Sequence, residues 1–528
     1  MSAPPPDAAG AGAAADGVAA GDSEDAADRA ADLAADLRDA GFTSVAVRGA
    51  WGASADDAVG RGLRAPALHA LGGRADPLAT LGRLLVLGVP QPVATVDAAL
   101  PRTRAAGLVR LGLATQQEQH VQARAVLRPQ SFVDAAGEGE WWIASDLDEV
   151  ALGAGGLPPD HVLGAGGASL TLAGLQLPTP ARRVLDLGTG CGIQALRATR
   201  YAAEVLATDL SERALAFTRL NAALNGAPGI HTRHGSLFEP VAGERFDRVV
   251  SNPPFVITPR AGGVPAYEYR DGGLVGDALV EQVVTTAGEH LEVGGVAQLL
   301  GNWESRDGQD GLERARAWVA ASTVPVDAWV VEREHLDPVE YAELWIRDGG
   351  TLPGTAEHER LLEAWLADFD RRGVTGVGLG FVLLRRPGGA PTLARYERLP
   401  QRLPREATLG THLAEALAVH DALAQLDDDA LAATVLRTAP DVTEARHHHP
   451  GSPDPSVIEL RQGAAFARTV TADPALAALV GACDGELAVG PLVAAIAGLL
   501  EVDAGELRQA LLPEVRGLLV DGFLTFGA

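Results

Sequence analysis

Val184-Leu-Asp-Leu-Gly-Thr-Gly-Cys-Gly-Ile193 decides how this 528-residue chain is read. An apolar run with one acid in it forms a buried strand, which passes into a tight glycine turn and then a helix at Gln194. Gly188, Gly190 and Gly192 lack the Cβ that would collide with a ligand pressed against the backbone. A dinucleotide site asks for G-x-G-x-x-G; here the last glycine comes one residue early and Ile193 fills its place, which counts against NAD. Cys191, inside the turn, reads as a small residue packed under a ligand rather than as a nucleophile.

Working outward, Ala207-Thr-Asp209 ends the next strand, about twenty residues on, where an acid typically holds ribose hydroxyls. A carboxylate there accepts two hydrogen bonds from a cis-diol, which suits NAD or S-adenosylmethionine; the plain alternative is an Asp capping the helix at Ser211. The third element is Phe246-Asp-Arg-Val-Val-Ser-Asn-Pro-Pro-Phe255. Two prolines stiffen the backbone directly after a strand, in the crevice at its carboxyl end where ligands bind. Asn252 and a proline carbonyl can both accept hydrogen bonds from one NH2 group, and Phe255 can lie flat on a planar substrate. The plain alternative here is a Pro-Pro turn with a core phenylalanine. Strands are expected at Val184–Leu187, Val205–Thr208, Ile230–His234, Arg248–Ser251, Val296–Leu300, Ala328–Val331 and Gly376–Leu384, alternating with amphipathic helices. That alternation implies an α/β, doubly wound, mostly parallel sheet with a terminal antiparallel strand. Asp337–Arg372 inserts helical segments that such a sheet does not need.

The three motifs in this order resemble class I S-adenosylmethionine-dependent methyltransferases with an N-P-P-[YF] tetrapeptide. That group includes protein-glutamine methyltransferases acting on release factors, "methyltransferase small" enzymes acting on rRNA guanine, and N6-adenine methyltransferases. The likeness covers about Arg182 to Leu384 and implies a Rossmann-like sheet with S-adenosyl-L-methionine as cofactor. It also implies that Asp186, Gly188, Thr189, Gly190 and Gly192 hold the methionine and ribose parts, with Asp209 on the ribose hydroxyls. Leu210, Ser236 and Leu237 would flank the adenine; Ser236 stands where the family often has Asp. Asn252, Pro253, Pro254 and Phe255 would form the site for the substrate nitrogen. The implied reaction is transfer of methyl to a planar amide or amine nitrogen, foremost a protein glutamine side chain. The alternative is a base of rRNA or tRNA (guanine N2 or adenine N6), and a third reading is a non-catalytic cofactor-binding regulator.

Composition narrows the partners. Hydrophobic residues make up 47% and charged residues 21%, with a net charge of -26, and every basic residue is Arg. A surface this acidic repels phosphate at long range, which weighs against a nucleic-acid substrate without excluding it; the resemblance implies as partner a protein (a translation factor or ribosomal protein) or RNA. The absence of Lys beside abundant Ala, Gly and Arg points to a GC-rich bacterial genome. No apolar run is long enough to span a bilayer, and two distant cysteines, Cys191 and Cys483, fit a reducing cytoplasm. Residues 1–23 read as a disordered leader without the basic start of a signal peptide. Residues 24–150 read as a mostly helical domain, with Trp141 and Trp142 in a short β-rich bridge and core. Residues 151–387 read as the methyltransferase domain, opened by the glycine-rich stretch Asp160–Leu170. Residues 388–528 read as a C-terminal α+β domain: a helical stretch leading to the loop Arg446–Pro455, then two strands and two helices from Val457, with a Leu-Leu-Val-Asp-Gly-Phe-Leu ending that resembles a winged-helix junction. No metal is expected, the His447–His449 run lacking supporting ligand spacing. Tyr267–Gly273 is expected as a lid or a surface loop.

Overall fold

The computed structural model describes residues 23–134, 137–152, 160–265, 270–403 and 409–527. The expected leader, and residues 266–269 of the expected Tyr267–Gly273 lid, lie outside the described residues.

Continuous apolar runs make the central strands, because both faces of the sheet are covered. The strands are β1 Ala181–Leu187, β2 Ala202–Asp209, β3 Ile230–His234, β4 Phe246–Ser251, β5 Leu291–Arg306, β6 Asp327–Leu336, β7 Val374–Arg385 and β8 Ala394–Arg398. Their order is β8-β6-β7-β5-β4-β1-β2-β3. β3, β2, β1, β4 and β5 run parallel, and β7 is antiparallel to both β5 and β6. The sheet is therefore mostly parallel with one late antiparallel strand. The chain leaves β1 for β2 and β3 on one side, then returns to β4 on the other. That reversal opens a crevice at the carboxyl ends of β1 and β4.

One face of the sheet carries Leu185, Leu187, Leu206 and Val249 against helices Ala278–Ala287 and Gly311–Ala320. The other carries Val184, Val205, Ala207 and Val250 against helices Gly167–Leu175, Ile193–Ala198 and Leu409–Leu423. β8 was not foreseen. It pairs parallel with β6 by residues such as Ala328 with Ala394, and its half-buried pattern carries too weak an alternation to mark it alone.

The N-terminal region has seven short α-helices within 23–110 among the described residues, plus more strand than expected. Gln91–Pro92, Ala114–Gln117 and His120–Ala123 make a small sheet, and the β-rich bridge is a hairpin of Ala125–Asp134 with Gly137–Asp146. Trp141 is buried and stacks on Phe132, while Trp142 is half-buried and donates from Nε1 to Phe42 O at 2.7 Å. The free edge of the second hairpin strand meets helix Glu212–Leu224 rather than another strand. Asn221 accepts from Ala144 N and donates to Ala144 O, each at 2.8 Å, and Asn225 does the same for Trp142 at 2.9 Å. Two side-chain amides one helical turn apart thus replace a missing strand. The apolar core there is continuous, running from Leu33, Leu37 and Phe42 to Phe217, Leu220 and Leu224.

Beyond residue 408, helix Leu409–Leu423 lies on the central sheet, and the remainder builds its own core around Leu436, Leu479, Val489 and Val515. Strands Val435–Thr438 and Val442–His447 occupy a stretch expected to be helical. Their β-branched residues find strand partners, at Leu524–Phe526 and Asp484–Ala488 for the first and Val457–Gln462 for the second. Three helices follow, at Pro474–Ala482, Val489–Leu500 and Ala504–Val520, where two were expected. No described helix is long and apolar enough to cross a membrane.

Asn221 is fully buried, and its amide also donates to Cys191 O at 2.8 Å. Asn221→Ala leaves three buried backbone groups unpaired and should lower unfolding free energy by about 2–4 kcal/mol in urea titrations, Asn225→Ala by less because that site is half-exposed.

Candidate active site

The turn after β1 is built on left-handed backbone: φ is 73° at Gly188, 55° at Gly190 and 83° at Gly192. A side chain disfavours this region at each position. Space separates their roles. A Cβ on Gly192 would meet Thr218 at 3.0 Å, so this glycine lets the turn close on helix Glu212–Leu224. Cβ atoms on Gly188 or Gly190 would meet nothing within 4 Å, which leaves a cradle open above the backbone. The turn is pinned to β2, since Gly188 N and Thr189 N both donate to Thr208 O at 2.9 Å.

Asp186 holds the turn from inside. It is fully buried, and its Oδ2 accepts from Thr189 Oγ1 at 2.7 Å and Ala195 N at 2.9 Å. Its Oδ1 is buried with no hydrogen-bond partner. Burial pushes its pKa up to about 7, against the two donors, which favour the carboxylate. Burial likewise pushes the Cys191 thiol up to about 12, so it is no nucleophile at neutral pH.

Asp209 ends β2 on the far side of the turn. Its Oδ2 accepts from Gly190 N at 2.9 Å and its Oδ1 from Ser211 N at 2.8 Å. Its pKa is raised by burial, opposed by those backbone donors. It does not cap the following helix; Ser211 does, accepting from Ala214 N. Next to it Leu210 is 65% exposed, an apolar side chain held in solvent beside the cradle. Gly235 N donates to Asp209 O at 3.0 Å, which brings the Gly235–Phe238 turn alongside. Ser236 and Leu237 are half-buried there; Leu237 takes φ 45°, and Phe238 is anchored by stacking on His290 at 4.5 Å.

The tetrapeptide lies one strand away. Leu187 pairs with Ser251 in register, and Ser251 Oγ donates to Leu187 O at 2.8 Å, so Asn252 leaves β4 beside the glycine turn. Asn252 Nδ2 points to Ser169 Oγ at 3.5 Å, and its Oδ1 is buried without a partner. Pro253 is buried, Pro254 and Phe255 are half-buried, and the Phe255 ring meets the edge of Trp345 at 6.3 Å. A buried acceptor left unpaired costs about 1–3 kcal/mol, so Asn252 Oδ1 marks a place where a ligand donor fits.

The expected residues thus collect on one crevice at the carboxyl ends of β2, β1 and β4. Ser169, Asn302, Tyr341 and Trp345 also reach it or brace it and were not singled out. Ser169 lay within the glycine-rich stretch already noted, and Tyr341 and Trp345 within the noted insertion; Asn302 carries no local signal. No group of three metal-ligating side chains occurs among the described residues, and His447 instead meets Glu459 across a hairpin at 3.1 Å.

Two family models match parts of the chain. Residues 166–307 match the family model of the methyltransferase small domain, and residues 39–125 match a domain of unknown function, DUF7059. The release factor glutamine methyltransferase of Xylella fastidiosa strain 9a5c is 36% identical over 151 residues, 27% of this chain and 55% of that protein. The ribosomal protein uL3 glutamine methyltransferase of Bradyrhizobium diazoefficiens is 36% identical over 124 residues, 22% of this chain and 39% of that protein. The chain thus spans about half the length, or less, of these curated relatives. Among solved structures, the ribosomal protein L11 methylase of Lactobacillus delbrueckii subsp. bulgaricus is 20% identical over 42% of this chain and 81% of that chain, with a TM-score of 0.24.

Asp186 makes the turn sensitive to pH. Its folded pKa of about 7 lies above its ordinary 3.8, so its neutral form is favoured in the folded state. That stabilisation is complete below pH 3.8 and is lost as pH rises through about 7. Asp186→Asn should flatten this fall, seen as a smaller difference between urea midpoints at pH 5 and pH 8 than in the wild type. The strand, turn and helix start that this buried carboxylate ties together lie within residues 166–307, the stretch that matches the methyltransferase small domain.

Proposed function

We propose that this chain transfers the methyl group of S-adenosyl-L-methionine to a planar nitrogen, and that the nitrogen is the side-chain amide of a protein glutamine. The observation that carries this reading is the buried, unpartnered Oδ1 of Asn252 beside the rigid Pro253-Pro254 turn. The cradle suits the cofactor: open space above Gly188 and Gly190, the Asp209 carboxylate at its edge, exposed Leu210 beside it and the orphan Asp186 Oδ1 beneath. When bound, the cofactor supplies an electrophilic methyl carried on a sulfonium.

The residues supply position and charge. An amide nitrogen is a poor nucleophile because its lone pair is delocalised. Asn252 Oδ1 and the Pro253 carbonyl accept from the NH2, orienting it and stabilising the positive charge that grows on nitrogen. Phe255 gives the planar group an apolar face, and its contact with Trp345 sets the ring's tilt. No strong base is required. Asp209 would accept from the ribose hydroxyls with the lone pairs that its two backbone donors leave free, while Thr189, Gly192, Ser236 and Leu237 would shape the walls.

A protein acceptor agrees with the net charge of -26 and with the activities for which the release factor and uL3 relatives are named. A translation factor or ribosomal protein in a bacterial cytoplasm is the partner we infer. The division into residues 24–150, 151–387 and 388–528 belongs to the same proposal, the outer parts serving acceptor recognition.

The test uses labelled cofactor with unmethylated release factor, uL3 and total RNA as separate acceptors. Label should enter protein glutamine; label only in RNA would move the acceptor to a nucleobase, and cofactor binding without any transfer would favour a regulator. Asn252→Ala should cut turnover about 10²–10³-fold with cofactor affinity nearly unchanged. Asp209→Ala should instead weaken cofactor binding by about 1.5–3 kcal/mol in calorimetry.

A further inference from the structure

Between β6 and β7 the chain inserts the helical hairpin Pro338–Asp348 and Ala356–Arg371. Its inner residues Tyr341, Ile346, Trp365 and Phe369 share one core with Val256 and Ile257, which directly follow the tetrapeptide. Polar ties run along the same contact. Ile257 N donates to the Tyr341 hydroxyl oxygen at 3.1 Å, and Arg360 Nη1 donates to Gly263 O at 2.9 Å. Arg270 donates to Trp345 O at 3.0 Å and pairs with Asp348 at 2.6 Å. The segment leaving the tetrapeptide is therefore fastened to the insertion by side chains and backbone at several points.

Tyr341 sits at the centre of this fastening. It is fully buried, and its oxygen lies 2.6 Å from the side-chain amide of Asn302. Asn302 Nδ2 donates to that oxygen, and Ile257 N donates to it as well, so donors from two distant segments converge on one buried phenol. Asn302 lies on β5, three residues past Leu299, which pairs with Ser251 at the end of β4. One phenol thus links the carboxyl end of β5 to the backbone five residues beyond Asn252.

We propose that the inserted hairpin is the acceptor-side wall of the active site, and that Tyr341, locked by Asn302, is the positioning residue that fixes the Asn252–Ile257 loop. This rests on the methyl-transfer reading above. Through Ile257 it sets where Asn252 Oδ1 and Phe255 stand, without touching the cofactor cradle.

Tyr341→Phe keeps the ring in its aromatic cluster and removes only the oxygen. In the full-length protein with S-adenosylhomocysteine bound, amide exchange at Ile257 should speed up about tenfold or more, as for one lost hydrogen bond, while the central strands keep their protection. With release factor as acceptor, kcat/KM for the acceptor should fall about tenfold, and KM for the cofactor should stay within about twofold. Asn302→Leu should reproduce both effects. Unchanged Ile257 exchange, or unchanged acceptor kinetics despite faster exchange, overturns the proposal, as does an equal loss of cofactor affinity. Wild-type transfer to RNA alone would overturn the glutamine acceptor while leaving Tyr341 to be judged on that RNA by the same ratio. No wild-type transfer to any acceptor would sink both.

Discussion

A carboxylate sealed inside the first glycine turn is the constraint on which the site depends. Asp186 has no exposure, yet two donors converge on one of its oxygens, from Thr189 in the turn and Ala195 in the next helix. The strand end, turn and helix start are thereby locked as one unit, and the left-handed glycines become the only way for the backbone to pass. The lock holds at a cost, visible in the raised pKa and in the second oxygen left without a partner. Such local strain in a hydrogen-bond network is common where a ligand is meant to complete it. Asp209 shows the same economy from the other side, using both its oxygens on backbone N–H groups that frame the cradle.

From that unit the rest is tied on by polar side chains that mimic backbone. Asn221 and Asn225 finish the edge of the N-terminal hairpin and so dock 23–146 onto the helix that follows Asp209. A side-chain amide presents an N–H and a C=O side by side in one plane, as a strand's backbone does, which is why two of them on successive helical turns can stand in for a strand. At the far end of β5, Asp277 and Glu304 are buried among Arg306, Arg314 and Arg372. Burial and the neighbouring Asp277 charge raise the Glu304 pKa, while the arginines hold it down. A buried network of this kind adds little net stability but is unforgiving of rearrangement. Arg372 belongs to the end of the inserted hairpin, so the same network roots the insertion beside β5.

Much of the fold and the three motifs of the candidate site were legible in the chain itself. The strand–turn–helix around Asp186, the acid at Asp209 and the Asn252–Phe255 tetrapeptide are local signals: glycine where φ must be positive, proline where the backbone must be stiff, apolar runs where both faces are covered. The seven sheet strands read from the sequence all form; the central ones, buried on two faces, announce themselves by composition, while Ile230–His234 is an exposed edge strand. What depended on partners distant in sequence was missed. β8 exists because β6 is there to pair with it, and Val435–Thr438 is a strand because Leu524–Phe526 and Asp484–Ala488 flank it.

The sequence alone determined the order of the sheet's strands along the chain, the glycine turn and the rigid Asn252–Phe255 segment, since each rests on the chemistry of consecutive residues. Only the tertiary structure decided which of the remaining polar groups matter. Ser169, Asn302 and Tyr341 carry no motif and lie 83 residues before, and dozens of residues after, the tetrapeptide they serve. Their contacts come from where burial brings polar groups of distant segments together, and that is a property of packing, which no stretch of sequence contains.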